Sequence, residues 1–73
     1  MAHSTEWHAE YLRLEIAADA ARDEYRAAKR DLGYKRVPAG AQARHDAALD
    51  ALRAASKARW DFEMAACTIV RAA

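Results

Sequence analysis

Apolar and small residues recur along the first half of the chain at alternating steps of four and three: Trp7, Tyr11, Leu14, Ala18, Ala21, Tyr25, Ala28 and Leu32. Charged side chains fill most of the positions between them, which is the pattern of a helix burying one stripe at coiled-coil spacing. The second half repeats it through Ala41, His45, Ala48, Leu52, Ala55, Arg59, Phe62, Ala66 and Ile69. Both glycines and the single proline fall between the two series, in "LGYKRVPAG". The expectation is one all-α domain with a helix over about residues 5–32, a loop over about 33–40 and a helix over about 41–71.

Local signals agree with these bounds. Ser4 is placed to cap the first helix, and Glu6 stands in its first turn, where a negative charge opposes the helix dipole. Gly33 offers the left-handed conformation that often ends a helix. The next helix is expected to begin between Pro38, a residue suited to the first helical position, and Ala41.

So short a loop between two helices of roughly 40 Å makes an antiparallel hairpin the natural arrangement. Folding the chain at the loop sets Ala28 opposite His45, Tyr25 opposite Ala48, Ala21 opposite Leu52, Tyr11 opposite Phe62 and Trp7 opposite Ala66. Most rungs pair a large residue with a small one, which allows interdigitation without voids. Arg59 is the exception, and its aliphatic stem is expected to cover Leu14 while the guanidinium reaches Glu63, Glu10 or Glu15.

Some apolar residues lie off this stripe. Leu12 and Ile16 on the first helix, and Leu49, Trp60, Met64, Cys67 and Val70 on the second, gather toward the open end away from the loop. A group of that size marks a dimer or partner interface, and two hairpins joined there make a four-helix bundle.

Composition sharpens the need for a partner. At 73 residues a single core is marginal, and 21 of those residues are alanine, so bulky core side chains are few. Cys67 is the lone cysteine, which precludes an internal disulfide and suits a reducing cytoplasm. The start "MAHSTEWHAE" has neither the basic nor the apolar segment of a signal peptide, and no run is long enough for a membrane span. A cytoplasmic protein with no membrane association is expected.

Candidate chemistry is sparse. His3, His8 and His45 lack the three- or four-residue spacing that would place metal ligands on one helix face. Cys67 sits in "MAACTIV" without a nearby basic group to activate it. Paired carboxylates such as Glu6 and Glu10 read as solvated faces. No enzyme activity, metal, cofactor or small-molecule substrate is therefore expected.

The net charge of +1 creates no global attraction for polyanions. The loop region differs. Lys29, Arg30, Lys35, Arg36 and Arg44 stand against Asp31 alone, Arg22 and Arg26 lead toward them, and Tyr34 lies between the two Lys-Arg pairs. Arg26, Lys29, Arg30, Tyr34, Lys35, Arg36 and Arg44 are thus candidates for an anion or nucleic-acid contact, unless Asp19, Asp23 and Glu24 neutralise the row.

These features predict a non-enzymatic interaction module. It would be a homodimeric hairpin that binds another protein as a small regulator or inhibitor, of the kind that phages and mobile elements encode. The rival readings are a nucleic-acid-binding hairpin working through its basic tip, and a small structural subunit of a larger assembly.

Overall fold

A computed structural model describes residues 4–72, with side chains over 4–66. Two helices, α1 (Thr5–Leu32) and α2 (Ala41–Ala72), make up almost all of it, and no strand occurs among the described residues. Their direction follows from what touches across the seam. Trp7 near the start of α1 meets Phe62 late in α2, whereas Tyr25 late in α1 meets His45 early in α2. The helices are therefore antiparallel and form an elongated hairpin of 56 × 20 × 13 Å.

The termini show why the helices begin and end where they do. Ser4 has extended backbone, and its Oγ accepts the Trp7 N–H at 3.0 Å while its carbonyl accepts the His8 N–H at 3.1 Å. One side chain thus satisfies a donor that the helix cannot. At the other end Lys29 and Arg30 occupy the last turn, on the favourable side of the dipole.

Gly33 departs from the expectation. It is right-handed, at φ −85° and ψ −4°, and its N–H donates to Arg30 O at 3.0 Å. Tyr34 N–H follows with a 3.4 Å bond to Asp31 O, so α1 ends by tightening to i→i+3 bonds and has no need of a left-handed residue.

The positive φ lies instead at Gly40, at 78°. There the Ala41 N–H closes a turn onto Pro38 O at 3.1 Å, with Gly40 at the third position, where a left-handed conformation is required. Pro38 accordingly opens this turn, and α2 starts three residues later at Ala41, within the expected range.

The expected stripe is the buried one. Leu14, Ala18, Ala28, Ala41 and Ala48 are buried, and Trp7, Tyr11, Ala21, Tyr25, Leu32, His45, Leu52, Ala55, Phe62 and Ala66 are half-buried. Ile69 belongs to the same series, but its side chain lies outside the described residues. Arg59 is half-buried, with Nε 3.8 Å from a Glu63 oxygen, so its stem covers the seam and its charge turns along α2.

The ring contacts run between neighbouring rungs. Trp7 reaches Phe62, and Tyr25 reaches His45, in each case one rung nearer the loop than the alanine placed opposite it. A large ring facing a small residue fills space by leaning over it onto the next ring, which is how side chains mesh between levels. Trp7 also stacks on Tyr11, with centroids 5.3 Å apart and planes 8° from parallel.

Among the described residues four of the five buried apolar side chains are alanines, and Leu14 is the only large one. The radius of gyration, 16.6 Å, exceeds the roughly 11 Å expected of a compact domain this long. The accessible surface, 5705 Å², likewise exceeds the roughly 4,500 Å² expected of a folded monomer of this mass. The hairpin encloses little and exposes much.

Candidate functional site

Two surfaces stand out, one at each end. At the open end Leu12, Ile16, Trp60 and Met64 are exposed, with Leu12 at 55 %, Ile16 at 60 % and Trp60 at 60 %. At about 100° per residue, Leu12 lies roughly 150° and Ile16 roughly 190° around α1 from the seam, and Trp60 roughly 115° and Met64 roughly 155° around α2. In an antiparallel pair equal senses of rotation fall on one broad side, so Leu12, Trp60 and Met64 share a side and Ile16 sits on the outer back of α1.

Leu49 does not belong to this group. It is half-buried and lies about 16 Å along α2 from Trp60, at 1.5 Å per residue. Cys67 and Val70, also expected there, have side chains outside the described residues.

Between the open end and the middle of the hairpin, Glu63 and Glu15 flank Tyr11. Their carboxylates, Glu63 first, hold the phenol above its ordinary range chiefly by accepting its hydrogen bond, which favours the protonated form, and to a lesser degree by their negative charge.

At the loop end, acids and bases divide between the two broad sides. Arg44 Nε donates to Glu24 Oε1 at 2.7 Å and Nη2 to Oε2 at 3.2 Å, while Nη1 donates to Asp31 Oδ2 at 2.7 Å. This guanidinium crosses the seam from α2 and takes both carboxylates of α1 that lie nearest the loop. Its bond to Glu24 holds that carboxyl below the usual range. Arg44, a candidate anion contact by sequence, is therefore engaged within the hairpin.

Arg22 is similarly paired with Asp19, Nη1 to Oδ1, at 2.9 Å. Arg26, Lys29, Arg30, Lys35 and Arg36 are exposed and take part in no ion pair among the described residues. Tyr34, which lies between the two Lys-Arg pairs in sequence, is 52 % exposed. By helical spacing Arg26, Lys29 and Arg30 turn to the same broad side as Leu12 and Trp60, away from Glu24 and Asp31.

The opposite broad side carries a feature that the large-residue pattern hides. Ala47, Ala51, Ala54, Ala58 and Ala65 are all exposed and follow a second heptad series interrupted only by Asp61. The signal is present in the sequence as a repeat offset from the seam, but alanine serves equally as seam filler and as solvated helix former, so the residue type alone does not show which alanines face outward.

Among the described residues no group of three or more His, Cys, Asp and Glu side chains is placed to hold a metal ion, and no helix is long and apolar enough to cross a membrane. Compared with protein-family models, with curated proteins and with solved structures, the chain matches none of them.

Proposed function

We propose that this chain is a non-enzymatic protein–protein interaction module, a hairpin that pairs with a second copy through its open end and acts on another protein as a small regulator or inhibitor. The observation that supports this is the exposure of Leu12, Trp60 and Met64 on one broad side, with Ile16 exposed on the back of α1, beside a seam whose only large buried residue among those described is Leu14. Covering each such side chain contributes about 1.5–3 kcal/mol, a large share of a small domain's stability.

Repulsion between the two basic loop ends opposes association, and it is screened at physiological salt wherever the charges lie more than about 8 Å apart. Apolar burial therefore decides the arrangement, and a four-helix bundle results.

Sedimentation equilibrium tests this. A mass near twice the 8.1 kDa of the chain is expected. Leu12→Asp and Trp60→Asp should return the monomer while keeping most of the helical signal. A monomer at every concentration sinks the dimer. So does a dimer that ignores both changes but dissociates with Ala54→Arg, which would assign the interface to the alanine side.

A further inference from the structure

The net charge of +1 conceals a division along the hairpin. Residues 26–44 hold Arg26, Lys29, Arg30, Lys35, Arg36 and Arg44 against Asp31 alone, a charge of +5. The rest of the chain, with six Lys and Arg against ten Asp and Glu, carries −4. Inside the basic end the structure divides the charges again. Arg44 draws Glu24 and Asp31 to one broad side, and the five remaining cations are left without a carboxylate partner.

We infer that the loop end binds single-stranded nucleic acid, with Arg26, Lys29, Arg30, Lys35 and Arg36 on the phosphate backbone and Tyr34 stacked on an unpaired base. Cations flanking an exposed aromatic ring are the two elements such binding uses, charge for the backbone and a flat ring for the bases. Tyr34 supplies the ring between two Lys-Arg pairs. A duplex offers the same phosphates but keeps its bases stacked inside.

An anionic membrane surface would attract the same cations. It also needs an apolar helix face beside them, and the last turns of α1 have none: Leu32 and Ala28 turn into the seam, Ala27 lies among charged residues, and the exposed Val37 stands in the loop as a single side chain outside any helix. The cluster is also independent of the open end, so it stands whether the chain is monomer or dimer.

Fluorescence anisotropy with a labelled oligothymidylate of ~16 nucleotides tests the inference on the full chain. Affinity should fall with salt at a log–log slope of roughly −3.5, about −0.7 for each of five phosphates. Lys35→Glu with Arg36→Glu should weaken binding by about tenfold or more and flatten the slope, with helical circular dichroism unchanged. Tyr34→Ala should cost about tenfold on the single strand, leave the slope intact and not affect a duplex of the same length.

The inference is overturned by absence of binding at ~50 mM salt, or by either variant binding the single strand as the parent does. Binding to phosphatidylserine vesicles without binding to the oligonucleotide overturns it as well.

Discussion

The rings of Trp7 and Phe62 lie 5.1 Å apart, centroid to centroid, and join the first turns of α1 to the late turns of α2. Because Trp7 also stacks on Tyr11, these three rings form the clamp that closes the open end of the hairpin. Full burial would make Trp→Ala or Phe→Ala cost about 3–5 kcal/mol, but here both residues are half-exposed. Trp7→Ala and Phe62→Ala should each cost about 1–2 kcal/mol in urea unfolding. Their double variant should cost less than the sum, since each single change already removes the shared contact.

Ala18 and Ala28 are 1 % and 0 % exposed, whereas Ala20, two residues from Ala18, faces solvent. A leucine at either buried site has no space to enter without parting the helices, at about 1–3 kcal/mol. Ala20→Leu should stay within about 0.5 kcal/mol of the parent. Denaturation midpoints of the three variants check this, and equal values would show that the seam does not require small residues where it has them.

The seam was legible because its information is redundant: many positions share one period, and an error at any single residue leaves the stripe intact. Arg59 could be placed for the same reason, because only a long stem fits a stripe position while its charge reaches Glu63. The glycines were not legible, since each is compatible with a helix end and only the hydrogen bonds of Gly33 and Gly40 decide which one needs a positive φ. The pairing of Arg44 is not legible in the sequence, because Glu24 and Asp31 are 20 and 13 residues away and meet it only once the chain has doubled back.

The two glycines should respond differently to alanine. At Gly40 an added Cβ meets nothing within 4 Å, so the whole cost of Gly40→Ala comes from φ at 78° and should be about 1 kcal/mol. At Gly33 the backbone is ordinary, and a Cβ would stand 3.3 Å from Arg30 O, which requires a shift of a few tenths of an ångström. The entropy removed from the unfolded chain offsets that crowding, so Gly33→Ala should be near neutral, within about 0.5 kcal/mol. Thermal unfolding of the two variants separates these outcomes, and a larger loss at Gly33 would refute the assignment.

Arg44 ties the base of the hairpin together, and its contribution should appear in acid. The Glu24 carboxyl is held below 4.5 chiefly by its hydrogen bond from Arg44, so the folded chain binds a proton there less readily than the unfolded chain does. The stabilisation is therefore present above pH 4.5 and is lost as pH falls through the lowered folded value. Glu10 beside Arg13 and Asp46 beside His45 and Gln42 shift in the same direction and add to the acid limb. Tyr11 acts at the other extreme: its raised value means that stability present below pH 10 is lost as pH rises above it. Arg44→Gln should flatten the acid limb while leaving the alkaline limb set by Tyr11 in place. Urea midpoints followed across pH measure both limbs, and an acid limb identical in Arg44→Gln and the parent would show that the Glu24 bridge does not contribute to folding.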